Sequence, residues 1–248
     1  MKKQVMNFLS IALMALVLFS CGGGSGKKGS GGKSLFTPVS SGHPYEMLVV
    51  IDKDMWERPA GRALFNALDM DVPGLPQPER SFRISQIIPD KFERGFRIFR
   101  NIIDVDIQPI YTQPKLKYSR DSYASPQMIM TIQAPDEASF EEFVNQNKQV
   151  IVDFFTKAEM NRQINLLKEK YSDVVATKVG SMFGCDVRVP VGFERYKQGK
   201  DFFWTSEDRP GSEVSMNFVV YSYPYTDKNT FTRDYFIHKR DSVMKLNI

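Results

Sequence analysis

Two cysteines, two histidines and several paired aspartates are the residues from which this chain could build chemistry. His43 and His238 have no carboxylate pair at metal-ligand spacing. His43 precedes Pro44 and His238 stands beside Lys239 and Arg240, so both are expected to be solvated. Asp52 with Asp54, and Asp104 with Asp106, could hold a divalent cation or exchange a proton. The plainer reading is favoured for both pairs: an aspartate at a strand end caps the next helix, and alternating aspartates mark the open face of a strand. Arg120, Asp121, Gln113 and Gln127 fall on proline-bounded loops, where binding residues concentrate, although Arg120 and Asp121 can equally form an ion pair that fixes a turn. Tyr221-Ser222-Tyr223-Pro224-Tyr225 offers flat rings with polar tips to a sugar or a partner's apolar side chain. Alternating tyrosines at a strand end are more often half-buried sheet surface. No Gly-x-Ser-x-Gly turn and no phosphate loop after a strand occurs, so no catalytic residue, metal site or cofactor is assigned.

The thiol of Cys21 is different, because its neighbours define a reaction. Lys2 and Lys3 precede an apolar run from Phe8 to Phe19, broken only by Ser10. Such a run spans about 18 Å as a helix, well short of a hydrocarbon core of roughly 30 Å, which makes it a secretion signal and not a membrane span. Leu18-Phe19-Ser20-Cys21 then places a thiol where a lipobox has one: the sulfur takes a diacylglyceryl group and the signal over 1–20 is removed. Phe19 is bulkier than the usual occupant of its position. Seven of the eleven residues from Gly22 to Gly32 are glycine, too little apolar surface to offset ordering entropy. Residues 21–42 are therefore read as a lipidated cysteine and a tether, of about 25 Å root-mean-square span. Cys185 is left as an unpaired thiol in an exported chain and is expected to be buried in a strand.

The chain has 33 basic and 29 acidic residues. Lys2 and Lys3 leave with the signal, so the mature chain is close to neutral. It carries no basic stripe interleaved with aromatics, and no nucleic-acid partner is expected. From 43 to 248 the composition is that of a globular domain. Glu46 to Ile51 reads as a strand buried on both faces, and Met55 to Leu68 as a helix with Pro59 in its first turn. Three prolines make Val72 to Pro78 an extended loop. Strands are expected over 82–88, 102–107 and 127–133, with a short helix over 92–100 and proline-marked loops around Pro109 and Pro114. Asp136 can cap a long helical region whose apolar stripe slips phase near Glu159 to Asn161, which predicts a kink or two helices there. Val150 to Phe155 is apolar nearly all round and should be covered on both sides. Strands over 185–191, 201–206 and 214–221 and a final helix over 227–247 complete the chain. The fold class is α+β: a mixed or antiparallel sheet, helices mainly on one side, and one long or kinked central helix.

Several strings together carry a resemblance: Val72-Pro73-Gly74-Leu75-Pro76-Gln77-Pro78-Glu79, Phe99-Arg100-Asn101-Ile102, Tyr111-Thr112-Gln113-Pro114-Lys115, Ser125-Pro126-Gln127, Lys157-Ala158-Glu159-Met160-Asn161-Arg162 and Tyr221 to Thr226. From about Gly42 to its last residue the chain resembles the domain-of-unknown-function 4837 family, lipoproteins of Bacteroidota. The resemblance implies a cell-envelope address in a two-membrane bacterium and brings no activity or catalytic residue with it. In that group, surface export goes with acidic residues after the acylated cysteine. Gly22-Gly23-Gly24-Ser25, then Lys27 and Lys28, therefore imply an outer-membrane anchor with the domain facing the periplasm.

Two functions from different classes are expected to compete. One is a non-catalytic module that binds an envelope protein or small ligand and is held to the membrane by its lipid. The other is a periplasmic enzyme acting on cell-wall or glycan material, which requires Asp104, Asp106, Arg120 or Asp121 to converge in a cleft. Family members also continue past the segment matching Lys239 to Met244. The helix ending near Ile248, with Phe231, Tyr235, Ile237 and Val243 on its apolar side, is thus expected to want further strands to cover it.

Overall fold

A computed structural model describes residues 37–75, 77–207 and 215–248. The signal expected over 1–20, the lipid attachment expected at Cys21 and the glycine-rich stretch lie outside the described residues. Among the described residues the first backbone hydrogen bond reaches Pro38, within the segment that composition assigns to the tether: Ser125 N donates to Pro38 O (2.9 Å). Ser40 N donates to Ser125 O (3.2 Å), Ser41 N to Ile98 O (2.8 Å) and Arg100 N to Ser41 O (3.0 Å).

The strands are β1 (Glu46–Val50), β2 (Arg83–Ile87), β3 (Asn101–Ile107), β4 (Lys115–Arg120), β5 (Met128–Ala134), β6 (Arg195–Gln198), β7 (Phe202–Glu207) and β8 (Met216–Tyr221). The α-helices are α1 (Lys53–Glu57), α2 (Pro59–Leu68), α3 (Arg94–Arg97), α4 (Glu137–Gln146), α5 (Lys148–Glu169), α6 (Asp173–Phe183) and α7 (Arg233–Asn247). Five strands form one sheet in the order β2-β1-β3-β5-β4, and β6-β7-β8 form a second. In the larger sheet β1 runs parallel to β2 and β3, β3 parallel to β5, and only β4 is antiparallel. The α+β reading therefore stands, with a mixed sheet.

Alternation along the inner strands makes two apolar faces. Met47, Val49, Ile103, Met130 and Ile132 point to one side, where α2, α4 and α5 bring Leu64, Phe140, Ile151 and Phe155, all with no exposed surface. Burying each such large side chain is worth about 1.5–3 kcal/mol. Leu48, Val50, Ile102 and Ile129 point to the other side, against Phe92 and Phe99. A separate small core joins α6 to the second sheet through Val175, Val179, Phe193 and Phe203.

Local chemistry sets most boundaries. Asp52 accepts from Asp54 N and Met55 N to open α1, Asp136 accepts from Ser139 N to open α4, and Ser172 caps α6. Gly184 closes α6 with φ 67°, the left-handed conformation that glycine adopts without a Cβ penalty.

Several expectations need correction. Met55 to Leu68 is two helices, because a residue before proline is pushed out of the helical region: Arg58 is extended (φ −82°, ψ 167°) and Pro59 opens α2. The two-helix alternative at Glu159 to Asn161 does not hold, since α5 is continuous there. The break is at Asn147, whose side chain donates to Phe143 O (2.8 Å). The slipped stripe is not a second core face, for Met160 and Ile164 are about half exposed. Val150 is likewise exposed, while Ile151, Val152 and Phe155 are buried.

Residues 185–190 have no ladder, so the strand expected there is absent and Cys185 is exposed rather than buried. The strand that pairs with β7 is β6, four exposed residues with no apolar signal. Lys115 to Arg120 forms β4 and not a loop; its charged residues suit an edge position. The last segment is a 3-10 turn over Lys228–Phe231 followed by α7, which has no buried residue. No helix among the described residues is long and apolar enough to cross a membrane.

Candidate functional site

The structure does not bring the sequence-predicted candidates together. Asp52 uses its carboxylate as a helix cap, and Asp54 is exposed beside it. Asp106 accepts from Gln108 Nε2 (2.7 Å), Gln133 Nε2 (2.7 Å) and the Tyr111 hydroxyl. Burial pushes Asp106 up, but these hydrogen bonds and the Lys117 charge outweigh it, and the net direction is down. Asp104 has no such compensation; burial first, and the Asp106 charge second, hold it above the ordinary carboxylate value.

Arg120 lies at the other end of the sheet. Asp106 is level with Gln133 and Lys115, whereas Arg120 is level with Met128, a separation of about 17 Å along the strands. Arg120 forms a loose pair with Asp121 (3.5 Å). Gln127 is fully used inside: its Nε2 donates to Arg97 O and Phe99 O, and its Oε1 accepts from Tyr123 N. Gln113, His43 and His238 are exposed. Tyr221 and Tyr223 stack at 6.1 Å, and Tyr223 meets Tyr235 of α7 at 5.9 Å. Tyr225 lies against Phe231 at 5.3 Å, so the tyrosine run joins the second sheet to α7.

A stronger constellation sits where β4 ends, β5 begins and α5 passes over them. Glu159, in mid-helix and with no exposed surface, accepts from Arg100 Nη2 (2.7 Å), Asn101 Nδ2 (2.6 Å) and Arg162 Nη1 (2.7 Å). Asn101 is itself held by donating to Glu46 O (2.9 Å) and accepting from Arg162 Nη1 (2.7 Å). Arg162 Nη2 donates to Arg100 O (2.9 Å). One carboxylate thus neutralises one of two guanidinium groups, and the trio keeps a positive charge. Burial is the largest influence on Arg162 and lowers its proton affinity; Glu159 opposes this and Arg100 adds to it. The Nε of Arg100 is buried without an acceptor among the described residues.

Above this network opens a cleft of about 420 Å³, within the usual size of small-molecule sites. Arg120, Lys157, Arg162 and Lys168 line it together with Asn161 and Asn165, and no carboxylate does. Phe154, Met128 and Ile164 supply apolar wall. The side chains from α5 recur at helical spacing, so they form one stripe along the helix, with Lys157 and Lys168 about 16 Å apart.

A larger hollow of about 750 Å³, between the start of β1 and the end of α2, has mixed lining. Its charges cancel locally, Arg80 against Asp69 (3.1 Å) and Arg83 against Glu46 (3.3 Å). The smaller cleft is the better candidate because its charge has one sign. Sequence reading missed Lys157, Asn161, Asn165 and Lys168 as site residues. Their spacing was available as a polar stripe, but nothing local marked it as facing Arg120.

A family model described as Domain of unknown function (DUF8532) matches residues 40–168, more than half of the chain, and the chain belongs to that family. A second model, Domain of unknown function (DUF4837), matches residues 172–248. The likeness expected from Gly42 onward therefore holds under that second description only for the last third. The strings from Val72 to Arg162 fall in the first family. The border coincides with the passage from α5 to α6, and each match carries its own sheet. No curated protein and no solved structure matches the chain.

Proposed function

We propose that this chain is a lipoprotein of a bacterial cell envelope, anchored through Cys21 to the outer membrane and facing the periplasm, whose folded part is a non-catalytic binding module. The observation that carries the binding reading is the cleft between β4, β5 and α5, where four cations and no carboxylate line one hollow. Single-sign charge in a concave wall focuses field and attracts an oppositely charged ligand. The enzymatic alternative gains nothing from the geometry, since Asp106 and Arg120 stand about 17 Å apart and Asp52, Asp106 and Gln127 are bound within the fold. The anchor reading rests on Leu18-Phe19-Ser20-Cys21 and the glycine-rich stretch after it.

Both halves are testable with the full chain produced in a two-membrane bacterium. A fatty-acid analogue should label the wild type and fail to label Cys21→Ala; undiminished labelling of the variant refutes the anchor. Native mass spectrometry of the detergent-extracted chain should show an added small molecule that is lost in Lys157→Glu/Lys168→Glu. An adduct retained by that variant, or none in the wild type, refutes binding at the cleft.

A further inference from the structure

We infer that the cleft takes a phosphoryl group, carried on a molecule with an apolar or uncharged remainder; this rests on reading the cleft as a binding site and names the ligand class. The argument begins with charge. Arg100, Arg120, Lys157, Arg162 and Lys168 are gathered around the cleft and its floor, against Glu159 and Asp121. In a chain whose formal charge is only +4, much of the basic excess is concentrated at one place. A ligand with one negative charge would leave that excess unbalanced, while a phosphate monoester carries about two.

The types of cation point the same way. Arginine presents a rigid fork matched to phosphate oxygens, and lysine adds a mobile point charge; a mixed set is a usual phosphate cradle. Here the arginine at the floor is fixed. Arg162 has only 10% of its side chain exposed and is held on Glu159, Asn101 and Arg100 O, so binding costs it little further ordering. Lys157 and Lys168 are exposed where they line the cleft, about 16 Å apart along α5. Arg120 lines the same cleft from the end of β4, its side chain 74% exposed and 3.5 Å from Asp121.

The amides of Asn161 and Asn165 can serve ester or hydroxyl oxygens, which carry no charge. Lys168 Nζ already lies 3.2 Å from Asn165 Oδ1, which aligns that amide with the charged groups. Phe154, Met128 and Ile164 form an apolar margin beside the cations. A bare inorganic anion would leave that wall unused, whereas a phosphate ester with an organic part covers it. Such a ligand could be a soluble phosphate monoester or the monoester headgroup of phosphatidic acid, and the two share the chemistry that the cleft recognises.

The test uses the full chain, with inorganic pyrophosphate and then glycerol 3-phosphate as probes in isothermal titration at low ionic strength. Expected are dissociation constants below about 1 mM, weakened at least about tenfold in Lys157→Ala/Lys168→Ala and unchanged in Lys200→Ala. Both lysines are exposed and touch none of the Glu159 network, so the folded state survives; a urea melt that superimposes on the wild type checks this. Flotation of the Cys21→Ala chain on phosphatidylcholine vesicles, with and without phosphatidic acid, separates the sources. A lysine-dependent excess on phosphatidic acid identifies a lipid headgroup. Phosphate binding without that excess identifies a soluble ester. Citrate is the control anion. Citrate binding with no response to either phosphate compound overturns the phosphoryl assignment and leaves the binding reading standing. No heat with any anion, or binding indifferent to the two lysines, overturns the anion site itself, and the adduct measured by mass then judges the binding reading separately.

Discussion

Glu159 holds the floor of the cleft together from inside α5. Its carboxylate receives Arg100, Asn101 and Arg162 with no exposure to water, and removing it would leave two guanidinium groups facing each other in a poorly solvated site. Breaking one partner out of a buried ion network costs about 3–5 kcal/mol. Glu159→Ala should lose about that much in urea unfolding, and a midpoint within error of the wild type would refute the central role of this residue. At the far end of the sheet, Asp104 and Asp106 should respond to pH in opposite senses. Asp104 is held above its unfolded value by burial and by Asp106, so its favourable contribution exists at low pH and is lost as pH rises through the folded value. Asp106 is held below its unfolded value, so its contribution exists at neutral pH and is lost as pH falls through the depressed value. Asp104→Asn should therefore be more stable than wild type near pH 7, and Asp106→Asn less stable, with both differences shrinking toward pH 3. Paired urea melts check this; an Asp104→Asn chain weaker than wild type near neutrality would contradict the account.

At the scale of elements, the α1–α2 junction shows what a close backbone approach demands. Arg58 turns the chain between the two helices, and Gly61 then passes so near α1 that a Cβ would stand 2.4 Å from Met55 O and 2.5 Å from Trp56 Cα. Those contacts are with backbone, which cannot rotate away. Gly61→Ala should thus cost about 1–3 kcal/mol by overpacking, although alanine is the better helix former by about 1 kcal/mol. A thermal melt at or above the wild-type midpoint would show that the junction adjusts freely. The sequence marks Gly61 as a weak helix residue and no more, because the crowding atoms belong to the preceding helix. The same limit explains the helix break expected near Glu159 to Asn161. A phase slip in the apolar stripe records a change in what surrounds the helix, and here α5 passes unbroken from the core face onto the rim of the cleft. β4 was missed for a related reason: an edge strand with one half-buried leucine, Leu116, gives little alternation to read.

At the scale of the whole molecule, the described residues hold three apolar clusters, two on the faces of the larger sheet and one at the second sheet, and the two family matches meet where the third separates from the others. Features that depend on neighbours in the chain were legible beforehand. The buried strand β1, the strands β5, β7 and β8, the caps at Asp52 and Asp136 and the stop at Gly184 all follow from period, capping chemistry and backbone freedom, each acting within a few residues. The α+β class followed from the order of those elements. The leader and lipid attachment proposed at Cys21 rest on sequence alone, since the chemistry of that motif is local. The cleft could not be read in this way. Arg120 meets Lys157, Arg162 and Lys168 only because β4 pairs antiparallel with β5 and α5 crosses the start of that pair. Likewise Glu159 is a solvated helix residue by every local rule, until Arg100 and Asn101 at the start of β3 are set beneath it. Strand order and the seating of a helix on a sheet are settled by which apolar faces can be buried together. That energy depends on residues far apart in sequence, so tertiary structure alone decided where the charges meet.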